Sequence, residues 1–144
     1  MVYKAVRKDA SVIAGLAIQM WQNHTIEDLA EEFLHIIESE DGAIFLKQID
    51  GRAAGFAQCQ LRHDYVEGTK SSPVGYLEGV FVLPEYRKQG LALELLRACE
   101  NWSKEQGCSE FASDCELVNE DSLNFHIKAG FTEANRIICF TKKL

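Results

Sequence analysis

The most constraining feature of this sequence is a hydrophobic strand that ends in a basic, glycine-containing turn and leads directly into a helix. The strand spans residues 76–84, the turn carries Arg87, Lys88 and Gly90, and the helical pattern begins at Leu91. Such a turn points free backbone N–H groups and the positive end of the helix dipole at one place, which favours a bound phosphate. The alternative is a solvated turn with two stray cations, and spacing alone leaves both open because neither the Walker nor the G-x-G-x-x-G pattern is present.

The N-terminal third of the chain predicts a strand followed by two helices. Residues 2–6 alternate as a short strand, and Asp9 or Ser11 is placed to cap the first helix. A capping-box variant, with Thr25 and Asp28, opens the second helix. The apolar faces expected for the two helices are Val12, Leu16 and Met20, then Leu29, Phe33 and Ile37.

The middle of the chain predicts a β-hairpin, a long loop and the central strand. Asp50 and Gly51 separate two alternating apolar runs and favour a type I′ turn, which takes positive φ at both positions. Residues 63–73 are polar and too long for a tight turn, so we expect a functional loop. Gly79 inside the central strand indicates a bulge or a close backbone approach.

The C-terminal third predicts two helices and two or three short strands. The helix from Leu91 has Leu91, Leu95, Cys99 and Trp102 on one face and ends at Gly107. Residues 109–114 follow as a strand and residues 119–129 as a short helix. Residues 131–143 then predict one or two final strands.

Composition bounds the class of protein. A chain of 144 residues with 47% hydrophobic side chains suits one globular domain, residues 1–144. The net charge of −7 disfavours nucleic acid and anionic membranes and favours cationic ligands. The start of the chain lacks the apolar segment of a secretory signal, so we expect a cytoplasmic protein. The five cysteines include no Cys-x-x-Cys pair and are interpreted as mainly small core residues. The histidines His24, His35 and His63 are not spaced as metal ligands, so no metal is expected.

Two motifs resemble the GCN5-related N-acetyltransferases. Arg87-x-x-Gly90-x-Ala92 is similar to the acetyl-coenzyme A signature of that superfamily, and residues 119–131 resemble its second motif. The resemblance implies an α+β fold, in which a mixed, mostly antiparallel sheet with splayed central strands is flanked by helices. It also implies acetyl-CoA as co-substrate, held by Phe81, Val82, Arg87, Lys88, Gln89, Gly90, Leu91, Ala92 and Asn119.

A narrower resemblance is to the short, dimeric aminoglycoside 6′-N-acetyltransferases. It rests on residues 62–66, 71–73, 77–84 and 111–114, with Trp21 and His24 upstream. It implies acetyl transfer to the 6′-amine of aminoglycoside antibiotics, and therefore resistance. It also implies a homodimer, for which the apolar segment 137–140 offers an edge to a second subunit.

The resemblance also suggests roles for individual residues. Glu78 and Asp114 lie at neighbouring strand ends, so we expect them to hold the acceptor amine and remove its proton, directly or through water. Asp64 and Glu67 are further candidate carboxylates. A bulge near Gly79 would free the Val80 N–H to donate to the thioester oxygen. Trp21, His24 and Tyr65 are expected to bind substrate, with Trp21 and Tyr65 as a sugar-stacking wall.

The sequence departs from the superfamily at the expected general acid, since His126 stands where a tyrosine is common. Either the imidazolium or solvent can protonate the leaving thiolate. Two other functions stay open at this point. One is an acetyltransferase for another small polyamine, and the other is a CoA-binding module without catalysis.

Overall fold

The computed structural model describes residues 1–144 and contains five strands and four α-helices. In chain order the elements are β1 (Val2–Lys4), α1 (Ala10–Ala17), α2 (Ile26–Glu38), β2 (Gly42–Ile49), β3 (Arg52–Arg62), β4 (Val74–Val82), α3 (Leu91–Glu105), β5 (Phe111–Ser113) and α4 (Glu120–Lys128). Short 3-10 turns at Arg7–Asp9 and Pro84–Tyr86 precede α1 and α3. None of the four α-helices combines the length with the apolar character that a membrane-spanning segment needs.

All five strands form one sheet in the order β1-β2-β3-β4-β5. The first three pairings are antiparallel, whereas β4 and β5 are parallel. The parallel pairing is short, and its last pair joins Leu77 to Ser113. Beyond Leu77 the edge of β4 on the β5 side is therefore unpaired, and this confirms the mixed α+β sheet with splayed central strands.

Two apolar clusters lie on opposite faces of the sheet. On one face, Ile13 of α1 and Phe33 of α2 pack with Phe56 of β3. On the other, Leu95 of α3 packs with Cys59 of β3. Each large apolar side chain buried in this way contributes about 1.5–3 kcal/mol. The helices therefore hold the sheet from both sides and leave the end of β4 accessible.

Local signals in the sequence produced the expected turns and caps. The Thr25 Oγ1 accepts a hydrogen bond of 3.1 Å from the Asp28 N–H and caps α2. Asp50 and Gly51 have φ values of 51° and 75°, as a type I′ turn requires. Both predictions are confirmed.

The buried face of α1 differs from the predicted one. Val12 is 47% exposed, and the buried side chains are those of Ile13, Leu16 and Ala17. Successive residues lie about 100° apart around a helix, so a face centred on Ile13 turns Val12 towards solvent. Met20 lies beyond the end of the helix but still packs against the same core cluster as Leu16, so the predicted apolar face is wrong at Val12.

The predicted final strands are absent, because no strand follows α4. Ile137, Ile138 and Phe140 are 70%, 79% and 87% exposed. A strand needs a partner along its length, and the free edge of β5 offers only three residues. Among the cysteines, Cys59, Cys99 and Cys108 are buried as interpreted, but Cys139 lies exposed in this C-terminal segment.

Candidate functional site

A β-bulge in the middle of β4 shapes the site. Gln58 pairs with Gly79 and Cys59 pairs with Leu77, so Glu78 is the extra residue on β4. The bulge expected from Gly79 is confirmed. The close approach is present as well, since a Cβ at Gly79 would lie 3.2 Å from the indole of Trp21.

The bulge also turns a backbone N–H to the open edge of β4. Before it, the Gly75 N–H donates to the carbonyl of Glu110 on the β5 side, at 3.1 Å. After it, the Leu83 N–H donates to the carbonyl of Ala54 on the β3 side, at 2.8 Å. N–H groups alternate along a strand, so one extra residue explains the reversal. The same alternation directs the Val80 N–H to the unpaired edge.

A cavity of about 230 Å³ opens beside the bulge, and we call it the acidic cavity. It carries two carboxylates and no lysine or arginine. Three of its residues, Trp21, His24 and Glu78, were predicted substrate contacts, and Trp21 also packs against Phe33 and Phe56 of the core. The full lining consists of Trp21, His24, Leu29, Glu32, Ile36, Gln58 and Glu78.

Glu78 is linked to Asp114 through two residues that the sequence did not single out. The guanidinium of Arg62 donates to both carboxylate oxygens of Glu78 at 2.9 and 3.0 Å. It also lies 3.4 Å above the ring of Tyr76, whose hydroxyl donates to Asp114. Burial, aided by the hydrogen bond to Asp114, raises the pKa of Tyr76, so the phenol stays protonated. The two predicted carboxylates are thus parts of one network and do not meet directly.

Tyr65 does not line the acidic cavity, whereas Trp21 does, so the predicted sugar-stacking role of the two residues stays a prediction. Its side chain is 75% exposed, and its hydroxyl accepts only a long hydrogen bond, 3.4 Å, from the Gly68 N–H. A turn at Glu67 and Gly68 follows Tyr65 in the polar loop. The other carboxylate candidates in this loop also stay outside the cavity lining, and Glu67 accepts from Asn135 at 2.7 Å.

His126 of α4 contacts β5 at the point where β4 and β5 separate. Its Nδ1 lies 2.6 Å from the carbonyl oxygen of Ser122, which can only accept, so Nδ1 carries a proton. Its Nε2 lies 2.8 Å from the Ser113 hydroxyl, which is also 3.3 Å from the carbonyl of Leu77. The imidazole therefore reaches the end of the β4–β5 pairing through Ser113.

A second cavity of about 340 Å³ lies at the start of α3, and we call it the basic cavity. It brings together most of the predicted cofactor residues and adds Lys128 and Phe125 from α4. Among the predicted residues, Phe81, Gln89 and Asn119 do not line it, and Asn119 instead caps α4 by accepting from the Ser122 N–H at 3.1 Å. The lining consists of Val82, Tyr86, Arg87, Lys88, Gly90, Leu91, Ala92, Leu93, Phe125 and Lys128.

The backbone at the start of α3 is arranged as an anion site. Gly90 has a left-handed φ of 82°, and no side chain caps the helix. The first N–H groups of the helix therefore lack acceptors within the protein, and the residues that carry them line the basic cavity. The Nε of Arg87 donates to the Val82 carbonyl at 2.8 Å, which fixes the guanidinium beside β4. The turn thus has the left-handed glycine and the uncapped helix start that the predicted anion seat needs, and phosphate binding there stays a prediction.

Sequence reasoning missed Arg62, Tyr76, Glu32 and Gln58. Tyr76 and Glu78 are two residues apart, so strand alternation could have placed them on one face of β4. Arg62 and Gln58 sit on the neighbouring strand and join them only through pairing. No local signal marks Glu32, which is one of several acidic residues on the exposed face of α2.

Comparisons with known proteins agree with this geometry. The profile of the Acetyltransferase (GNAT) family matches residues 9–131. An aminoglycoside N(6′)-acetyltransferase type 1 of Salmonella typhimurium (strain LT2) is 40% identical over 129 residues, covering 90% of this chain and 89% of that protein. One of Stenotrophomonas maltophilia is 38% identical over 99% of this chain and 93% of its own. The structure of AAC(6′)-Iy with a bisubstrate analogue, CoA-S-monomethyl-acetylneamine, has a TM-score of 0.96 at 36% identity, covering 100% of this chain and 98% of its own.

Proposed function

The chain belongs to the acetyltransferase (GNAT) family, and from its similarity to aminoglycoside N(6′)-acetyltransferases we propose that it transfers the acetyl group of acetyl-CoA to the 6′-amine of aminoglycoside antibiotics. One observation carries the proposal. The open edge of β4 has a basic cavity with free helix N–H groups near one end and an acidic, tryptophan-walled cavity beside its bulge. Acetylation of the 6′-amine would make a cell that contains the enzyme resistant to these antibiotics.

The basic cavity suits the phosphates of acetyl-CoA. Lys88 and Lys128 supply charge, and the N–H groups at the start of α3 supply directed donors. The apolar ring of Phe125 and the unpaired edge of β4 extend from this site towards the bulge. The co-substrate supplies an activated acetyl thioester, so the protein only has to position the amine and stabilise charge.

The acidic cavity suits a cationic acceptor. Aminoglycosides carry several ammonium groups, and Glu32 and Glu78 present two carboxylates to them in the acidic cavity. The indole of Trp21 offers an apolar face to a sugar ring. His24 stands at the exposed rim of the cavity. The excess of acidic residues over the whole chain favours the same partners.

Glu78 is the residue that we assign to the reacting amine. Arg62 holds its carboxylate in a fixed orientation, and a third donor, the ammonium of the acceptor, can still approach it. The amine loses a proton to this carboxylate or to water beside it and then attacks the thioester carbon. Asp114 supports the arrangement through Tyr76, so we assign it a positioning role.

Val80 and His126 complete the proposed chemistry. The Val80 N–H donates to the carbonyl oxygen as negative charge develops there during attack. The leaving thiolate takes a proton that His126 supplies through the Ser113 hydroxyl. Solvent is the alternative proton source, and replacement of Ser113 separates the two.

We propose that the enzyme is a homodimer whose subunits meet through the C-terminal segment. Ile138 and Phe140 are too exposed and too apolar for a free surface, which favours a second copy as their partner. Light scattering is expected to give a dimer for the wild type and a monomer for Ile138→Asp with Phe140→Asp. Val118→Asp, at another exposed apolar position, serves as the control, and a wild-type monomer would refute the proposal.

We place the reaction in the cytoplasm, because acetyl-CoA is available there. A thiol-release assay tests the function itself, with tobramycin, amikacin, paromomycin and spermidine as acceptors. Turnover is expected with the two 6′-amino compounds and not with paromomycin, which has a hydroxyl at that position. Turnover of spermidine alone would point to another polyamine acetyltransferase. Binding of acetyl-CoA without any turnover would point to a module without catalysis.

A further inference from the structure

Gln58 stands out among the buried polar side chains of the protein. Three polar residues are buried, and two of them have protein partners. Asp9 accepts from the Val6 N–H at 2.8 Å, and Ser103 donates to the Cys99 carbonyl at 2.9 Å. Gln58 is only 8% exposed, yet its amide group forms no hydrogen bond with the protein and faces the acidic cavity.

Every side-chain nitrogen or oxygen that is fully buried has a hydrogen-bond partner, so the Gln58 amide still contacts the open cavity, among apolar neighbours. Covering this amide without giving it a partner would destabilise the protein. Those neighbours include Trp21, Leu29 and Ile36 on the cavity wall. Water in the open cavity can satisfy the amide while the site is free. A ligand that enters must replace this water with a polar group of its own, or the amide loses its hydrogen bonds.

The position of Gln58 shows which part of a ligand it meets. It pairs with Gly79 across the ladder and so lies beside Glu78, to which we assign the reacting amine. Paired strands are about 4.8 Å apart, a distance comparable to the width of one sugar ring. A group that contacts Gln58 therefore belongs to the ring that carries the reacting amine.

We propose that Gln58 determines acceptor specificity by hydrogen-bonding a ring hydroxyl of the sugar that bears the reacting amine. This inference rests on the proposed function, because it takes the acceptor to be an amino sugar. The amide can donate to a hydroxyl oxygen and accept from its hydrogen, so it distinguishes a hydroxylated ring from a deoxygenated one. A site built to bind a hydroxyl rejects the analogue that lacks it, because its own buried polar group is left unpaired.

Three related aminoglycosides test the proposal. Kanamycin B has hydroxyls at positions 3′ and 4′, tobramycin lacks the first, and dibekacin lacks both. With the wild type we expect kcat/KM to fall by about tenfold or more between kanamycin B and dibekacin. Gln58→Met, which keeps the length of the side chain, is expected to lower kcat/KM for kanamycin B and leave that for dibekacin within about twofold, so that the preference disappears.

Two further variants separate this role from a structural one. Gln60→Met makes the same change two residues along β3, outside the cavity lining, and is expected to keep the wild-type preference. Gln58→Glu keeps a hydrogen-bond acceptor and is expected to restore part of the preference that Gln58→Met loses. An equal loss on all three antibiotics would assign Gln58 to the fold and overturn the proposal.

The wild type alone can also refute the inference, even if no Gln58 variant folds. Equal kcat/KM values for kanamycin B, tobramycin and dibekacin would overturn the specificity role and leave the acetyltransferase function intact. Turnover of none of the three would overturn the proposed function, and the inference with it.

Discussion

The basic and acidic cavities serve one proposed reaction but are built in different ways. The basic cavity is formed mainly by residues 82–93, which follow one another in the chain. The acidic cavity takes Trp21 from the segment after α1, Glu32 from α2, Gln58 from β3 and Glu78 from β4. The basic cavity depends on backbone N–H groups, whereas the acidic cavity depends on side chains. A backbone site built from one segment can be predicted from sequence, whereas a site of distant side chains exists only in the fold.

The largest expected effect comes from Glu78, and it should appear on the acceptor side only. Glu78→Gln removes the charge that holds the amine, so kcat/KM for tobramycin should fall by about 100-fold while the KM for acetyl-CoA stays unchanged. Steady-state kinetics with each substrate varied in turn provide the measurement. Glu67→Gln, in the exposed loop, is the control and should retain wild-type activity. A normal rate for Glu78→Gln would remove it from the site.

A substitution at Gly90 is expected to affect acetyl-CoA binding and not the acceptor. No atom lies within 4 Å of a Cβ placed there, so the free protein has room for a methyl group. A phosphate bound at the same place would collide with that methyl group. Gly90→Ala should raise the KM for acetyl-CoA about tenfold and lower stability by about 1 kcal/mol, because its φ is left-handed.

Gly107→Ala is the matched control for this prediction. Gly107 has a φ of 93°, also with nothing within 4 Å of its Cβ, but it lies after the far end of α3. It should lose similar stability in thermal unfolding and keep the wild-type KM. Equal KM values for the two variants would contradict an anion site at Gly90.

A region can be predicted from the sequence when the residues that determine its structure are close together in the chain. The cap at Thr25, the turn at Asp50 and the bulge beside Gly79 depend on a few neighbouring residues, and all three were predicted correctly. The left-handed Gly90 at the start of α3 is of the same kind, whereas anion binding there stays a prediction. Each is a backbone conformation that a particular residue type favours locally.

The errors arise where a distant partner decides the outcome. The segment 131–143 has the composition of a strand, but a strand also needs a long free edge, and β5 is too short. Tyr65 lies in a long exposed loop, so the sequence alone could not place its ring relative to Trp21. Arg62 was missed because its role comes from the pairing of β3 with β4, which alone brings it to Glu78.

A smaller effect is expected between the two cavities, at the contact of α4 with β5. Ser113→Ala removes the hydroxyl that joins His126 to the end of β4, so kcat should fall about fivefold with both KM values unchanged. Ser122→Ala is the control, because its hydroxyl is 3.4 Å from the imidazole and its carbonyl, which accepts from Nδ1, remains. A wild-type kcat for Ser113→Ala would identify solvent as the proton source.

The smallest expected effect is at Glu32, and it tests whether the acidic cavity attracts its ligand by charge. The Glu32 carboxylate lies on the exposed rim, where salt screens its attraction for an ammonium group. Glu32→Gln should raise the KM for tobramycin about threefold at low ionic strength and by less in 0.5 M salt, where the Debye length is only about 4 Å. Glu31→Gln removes the same charge next to it on α2, outside the cavity lining, and should change neither value. A salt-independent loss in Glu32→Gln would instead indicate a direct hydrogen bond to the acceptor, which would make Glu32 resemble Gln58 in its role.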